Sequence, residues 1–338
     1  MFRSLCIPSN RKLNLIKDNI DSTLNYINSC ADIELVLTDN SNDKNKEDYL
    51  SKLKGKQFNY LISEYKGTTD NWIFSLKSSK GKFISNMGDD DKIMRLGTLN
   101  LNNIGSDVVG IRPSFIVYTN EFGVMNHSNF SIIEDSPIKR INEYFKKCNG
   151  NNNTLYSFFK KNILIELYDI LQFHPFKNSG YWDWTVVLAL IAEGKIISDP
   201  STVIFYDNSN WTTNEKIQSS VTDLFVKENL NSKLANYLLL LLGFDSFILI
   251  ARKHSGLGLN EKMNLALTVM NSYIDNFFRS IRLDKFDTTE INSINKLIST
   301  KDFMERFKIF FKLLNYLSPG KSEEYLFFLT ESTGVELT

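Results

Sequence analysis

An α/β protein is the fold this 338-residue chain predicts: a mostly parallel sheet flanked by helices, with an α-helical C-terminal extension. Three observations point to it. Short apolar runs alternate with amphipathic ones over the first 90 residues, the pattern of a parallel sheet with helical crossovers. Polar, turn-rich clusters close successive runs at residues 9–11, 39–43 and 89–91. From residue 215 the apolar spacing is helical almost to the end. The expected division is therefore a sheet-bearing region over 1–212 and a helical region over 213–338.

The elements follow in order. Ser4-Leu5-Cys6-Ile7-Pro8 is a short apolar strand closed by proline. Leu13, Ile16, Ile20, Leu24 and Ile27 recur at three- and four-residue spacing and mark a helix. Ile33-Glu34-Leu35-Val36-Leu37 is a second strand, residues 44–56 carry a surface helix, and Phe58-Asn59-Tyr60-Leu61-Ile62 is a third strand. Asp70 is placed to cap a helix whose Trp72, Ile73 and Leu76 face the sheet. Phe83-Ile84-Ser85-Asn86-Met87 is the fourth strand, and a helix-like stretch over 93–101 follows it. Residues 108–111, 115–118 and 130–133 read as strands, and 136–173 as mostly helical with an Asn-rich break at 149–153. A helix opens at Asp183, and two strands follow before residue 207.

Composition excludes several classes. Lys+Arg and Asp+Glu both number 39, so no basic field invites nucleic acid. Cys6, Cys30 and Cys148 are too few and too scattered for a disulfide framework or a zinc site. With no long apolar core near the N-terminus, a reducing, cytoplasmic setting is expected. A place at the inner face of the membrane is compatible with it. The run over 234–251 is nearly long enough to cross a bilayer, but Gly243-Phe244-Asp245 interrupts it. An Asp at the bilayer centre costs roughly 2.5–3.5 kcal/mol, so the run reads as a buried helix or helix pair. Phe303, Phe307, Phe310, Phe311 and Leu314 form a stripe at helical spacing, read as core. The helical region is also a candidate homodimer face.

The most informative stretch is GKFISNMGDDD, residues 81–91. Asp89, Asp90 and Asp91 crowd three like charges at a strand end, which raises their pKa values unless a cation is bound. Mg²⁺ and Mn²⁺ prefer carboxylate oxygen, and Mg²⁺ commonly combines one or two carboxylates with substrate phosphates. A solvated acidic turn or a helix start is the competing reading.

The series CIPSNR, LVLTDNSND and TDNW…SKGKFISNMGDDD resembles the inverting glycosyltransferases of the GT-A (Rossmann-like) fold, family two. The resemblance covers roughly residues 4–95, and 180–210 loosely. It implies a nucleotide-diphospho-sugar donor, UDP-linked by preference, with Mn²⁺ or Mg²⁺ across the diphosphate. A glycan or lipid-linked acceptor in surface polysaccharide synthesis would receive the sugar. Pro8, Ser9 and Arg11 would border the nucleotide, with Arg11 near the diphosphate. Asp39 would accept from the base edge, or close an Asx-turn. Asp70 and Asn71 would lie near the base or diphosphate, Asp70 alternatively capping its helix. Asp89 would reach ribose or metal, and Asp91, alone or with Asp90, would bind the cation. Gly88 stands where relatives often carry an acid, which leaves the direct ligands open. Asp183, at the start of a late helix in YWDW, would be the general base, or a first-turn acid. No QxxRW stretch is present, which disfavours a processive synthase. Two other readings remain. One is a sugar nucleotidyltransferase, opposed by the absence of glycine in SNRKLN. The other is a non-catalytic nucleotide-binding or interaction protein.

Overall fold

The computed structural model describes residues 2–53, 57–99 and 104–336. The chain forms two compact units. The first comprises Met1–Asp169 and Leu190–Thr212, the second Ile170–Ala189 and Thr213–Thr338. Residues 170–189, assigned from the sequence to the sheet region, thus group with the later helices.

Among the described residues, the first unit holds a nine-stranded sheet. Strand β1 (Arg3–Ser9) lies between β2 (Ile33–Asp39) and β4 (Phe83–Asn86), with β3 (Phe58–Ile62) beyond β2, and all four run parallel. Past β4 come β8 (Phe158–Lys160), β6 (Val108–Thr119), β9 (Lys195–Asp207) and β5 (Lys92–Arg95), and β7 (Gly123–Ser128) also pairs with β6. Covered on both faces, β1 and β2 read as near-continuous apolar runs. Glu34, buried within β2, accepts from the Ser4 hydroxyl at 2.6 Å and the Lys80 amide at 2.5 Å. Arg3, buried at the start of β1, pairs with Asp32 at 2.9 Å and Asp199 at 3.2 Å, tying β1 to β9. Gly81 lets the chain entering β4 pass against β1: a Cβ there would sit 2.6 Å from the Arg3 carbonyl carbon and the Ser4 nitrogen. Helices α1 (Leu13–Asn28), α2 (Lys44–Ser51) and α3 (Thr68–Ser78) make the crossovers.

Several expectations are corrected. The stretch after the acidic motif is strand β5, antiparallel to β9 and not helical; residues 100–103 lie outside the described part. So do residues 54–56 of the expected surface helix. Residues 108–111 and 115–118 are one strand, β6. The expected strand over 130–133 supplies only a bridge from Ile132 to Ile196. Helix α4 (Pro137–Lys147) and helix α5 (Lys161–Leu171) are separated by β8, which the pattern hides. Helix α3 starts at Thr68 with Gly67 as its cap, so Asp70 lies in the first turn instead of capping it.

Helix α6 (Asp183–Glu193) precedes β9. The second unit adds α7 (Asn214–Val226), α8 (Leu238–Ile250), α9 (Leu259–Ser280), α10 (Thr288–Ser299), α11 (Phe303–Leu317) and α12 (Lys321–Thr333). Every residue of α8 from Leu240 to Ile250 is buried. Among the described residues, Ser232–Ile250 is the one helical stretch long and apolar enough to cross a membrane, and 78% of its apolar window is covered by protein. The Phe244 ring stacks on Phe310 at 4.1 Å and meets Phe307 at 4.7 Å, so the aromatic stripe is core. Asp245, mid-helix, accepts from Tyr325 and lies 3.1 Å from His174 Nε2. His174 Nδ1 accepts the Phe176 amide at 2.9 Å, which puts the ring proton on Nε2, facing Asp245.

Candidate active site

The carboxyl edge of β1, β2 and β4 is where open α/β sheets hold ligands. Parallel register sets Pro8 beside Thr38, Ser9 beside Asp39, and Cys6 beside Asn86. Just past Asn86, the Asp89 carboxylate accepts from the Ser9 hydroxyl at 2.5 Å and from the Arg11 guanidinium. The Asn19 side-chain amide donates to its backbone carbonyl at 3.1 Å. Arg11 also donates to Asp90 at 2.9 Å. Arg11 therefore spans the first two acids of the motif, and both oxygens of Asp89 are engaged. Asp90 and Arg11 remain substantially open to solvent, at 53% and 41% side-chain exposure, while Asp89 is buried.

Asp39 closes the predicted Asx-turn, accepting the Ser41 amide at 2.9 Å. It does more than that. Its Oδ2 accepts from the Tyr60 hydroxyl at 3.0 Å and its Oδ1 from Lys46 at 2.8 Å. The Lys46 ammonium is fully buried and also donates to Ser9 Oγ at 2.6 Å and the Arg11 carbonyl at 3.0 Å. One lysine thus joins the ends of β1 and β2. Burial and the neighbouring Asp39 carboxylate push the Tyr60 phenol well up. Sequence reasoning missed Lys46, although Leu50 four residues on is a sign that this face of α2 turns inward.

The third acid is different. Asp91 is buried, and burial, then the charge of Asp90, raises its pKa well above the carboxylate range; Asp207 raises it further. The Asp207 amide donates to Asp91 Oδ1 at 3.3 Å, because β5 pairs with β9 and brings the two together. Asp207 in turn accepts from the Ser209 hydroxyl and amide. The Tyr118 phenol is pushed up first by burial and then by Asp207, Asp91 and Asp90. This oxygen-only acidic corner has the donor chemistry of a hard divalent ion. Among the described residues, no three His, Cys, Asp or Glu side chains are placed to hold an ion by themselves.

Several buried polar atoms near this edge have no hydrogen-bond partner among the described residues: Thr38 Oγ1 at the end of β2, Asn40 Oδ1 just after it, both amide atoms of Asn86, and Asn71 Oδ1 in the first turn of α3. Unsatisfied buried groups are uncommon in folded proteins. The structure thus brings Pro8, Ser9, Arg11, Asp39, Asp89, Asp90 and Asp91 together, and sets Asp70 and Asn71 at the start of α3. Asp183 opens α6 within the second unit, where its Oδ1 accepts the Trp184 amide at 2.8 Å.

No protein-family model and no curated protein matches the sequence. Solved structures do match. Residues 1–349 of S. aureus TarS, in complex with UDP-GlcNAc, superpose with a TM-score of 0.51 at 11% identity, over 94% of this chain and 82% of that one. The same fragment with UDP gives 0.49 at 13% identity, over 98% and 89%. The fold is glycosyltransferase-like. At such identity the likeness extends to the fold alone.

Proposed function

We propose that this protein is a glycosyltransferase that moves a sugar from a nucleotide-diphospho-sugar, a UDP-sugar by preference, to a hydroxyl of a glycan or lipid-linked acceptor, with inversion at the anomeric carbon. The observation that supports this best is the meeting of Arg11, Asp89, Asp91 and the Asp39–Lys46 pair at the carboxyl edge of the sheet. That edge belongs to a fold shared with TarS, a glycosyltransferase crystallised with UDP-GlcNAc.

Arg11 is suited to the donor diphosphate, since guanidinium–phosphate bonds are charge-assisted and directional. Asp89 keeps Arg11 aimed. Asp39, fixed by Lys46 and Tyr60, presents a rigid acidic wall to the base. A divalent cation, Mn²⁺ or Mg²⁺, when bound supplies Lewis-acid neutralisation of the departing diphosphate. Asp91 is the side chain to hold it, with Asp90 and Asp207 alongside. Asp183, assigned from the resemblance, takes the acceptor proton.

A donor screen that reads nucleoside diphosphate release tests this. We expect release from one UDP-sugar with Mn²⁺, an inverted product, and loss of transfer in Asp91→Asn and Asp183→Asn. Near-normal turnover in Asp183→Asn moves the base elsewhere. UDP with Mn²⁺ at a hundred times its dissociation constant should stabilise the fold by about 2.7 kcal/mol. Absence of both release and stabilisation, for every nucleotide tried, favours a non-catalytic interaction protein. Formation of nucleotide-sugar from a sugar 1-phosphate and a nucleoside triphosphate favours a nucleotidyltransferase.

A further inference from the structure

The second unit carries a cavity of about 440 Å³ that the donor site does not use, lined by residues 172–178, Glu228, Leu230, Glu324 and Phe327. That volume lies within the roughly 300–1,000 Å³ of clefts that hold small molecules. Its chemistry is mixed in a particular way. Phe173 and Phe327 meet edge to face at 5.8 Å, yet each remains about half exposed, at 48% and 52%. The two rings leave adjacent apolar surface open within the concavity, the kind of patch that a ligand-binding groove presents. Around them stand Gln172, Asn178, Glu228 and Glu324. Asn178 Oδ1 is buried and has no hydrogen-bond partner among the described residues. The floor is firm. His174 is held by Asp245, Tyr181 and the Phe176 amide, and Phe176 itself is buried.

We infer that this cleft is a saccharide-binding site. A pyranose has an apolar C–H face, which an aromatic ring covers, and a rim of hydroxyls that donate and accept. The exposed Glu228 carboxylate and the exposed Gln172 side-chain amide are hydrogen-bonding partners for those hydroxyls. Charge narrows the class. Glu324 is paired with Lys321 at 2.7 Å, and Glu228 and Lys177 are the other charges of the lining, so the cleft carries no charge excess and a neutral glycan suits it. The polar rim equally disfavours a bare alkyl chain. The inference stands apart from the transferase reading, since it concerns binding by the second unit alone.

The test is direct binding to the full chain. N-acetylchitotriose, cellotriose and maltotriose are titrated at millimolar concentration by calorimetry and ligand-observed NMR. At least one should bind, and Phe327→Ala and Glu228→Gln should each weaken it about tenfold or more. Both side chains are exposed, so the fold should survive; unchanged thermal unfolding checks this, and unchanged UDP binding separates this site from the donor site. Binding of none of the three sugars overturns the inference. So does sugar binding that both variants leave intact, or preferential binding of an alkyl detergent or inorganic phosphate at the same residues.

Discussion

Lys46→Met is the sharpest probe of how the candidate site is held together. Methionine keeps the length and most of the apolar stem of lysine, so packing is nearly preserved and the charge is what changes. The ammonium is wholly buried and makes three bonds: 2.8 Å to Asp39, 2.6 Å to Ser9 and 3.0 Å to the Arg11 carbonyl. Its removal leaves Asp39 buried with the Ser41 amide and the Tyr60 hydroxyl as its remaining donors among the described residues. Breaking a buried pair by deleting one partner costs about 3–5 kcal/mol, because the remaining charge is uncompensated. Asp39→Asn in the Lys46→Met background removes that orphan charge, so the double variant should cost less than the sum of the singles by about 1–3 kcal/mol. Urea unfolding followed by both circular dichroism and tryptophan fluorescence measures this, two probes being needed because the chain has two units. The same samples should lose affinity for UDP. If Lys46→Met shifts stability by less than about 1 kcal/mol, the lysine does not hold Asp39, and the rigid wall assigned to the base is an error.

Gly81→Ala should destabilise by about 1–3 kcal/mol, because its Cβ would meet β1 backbone at 2.6 Å; a fall in melting temperature checks it. Tyr325→Phe removes a donor from Asp245, whose other oxygen has no partner among the described residues, and should cost about 1–3 kcal/mol by chemical denaturation. Alkaline pH should weaken the fold. Burial raises the Cys6 thiol from 9.0 to about 12 and the Tyr26 phenol from 10.0 to about 12. The unfolded chain therefore loses these protons first. Stability is intact below pH 9 and falls as pH rises towards 12, by at most about 1.4 kcal/mol per unit for each group. A flat stability profile between pH 9 and 11 contradicts this. Thiol reagents at neutral pH should label none of the three buried cysteines until the protein unfolds.

How much of this was legible depends on where each residue's partners lie. β1, β2 and β4 are plain in the sequence because strands buried on both faces must be apolar throughout. The polar ends at Ser9, Asp39 and Asp89 mark a shared edge for the same reason: parallel strands finish together. β5 is hidden because only Ile93 of its four residues is buried, and the pairing that makes it a strand comes from distant β9. β8 has three residues and is a strand only because β4 and β6 flank it. Asp207 is not singled out by the sequence, since nothing local reveals that β5 will carry Asp91 to it. Lys46 went unnoticed because lysines on short polar helices usually face solvent, and only the strand ends beneath it supply enough acceptors to bury one. Asp70 fits a cap by residue type, but the helix begins two residues earlier.

The order in which a ribosome delivers these segments matters for folding. Residues Ile170–Ala189 emerge before β9, yet they belong with helices that come last. While the sheet completes itself, His174 and Tyr181 have to wait for Asp245, Phe225 and Tyr325 to be made. A chain stopped at Thr212 would hold a finished sheet and a sticky stretch with no one to fold against, a natural client for chaperones and a poor choice for expressing the front half alone.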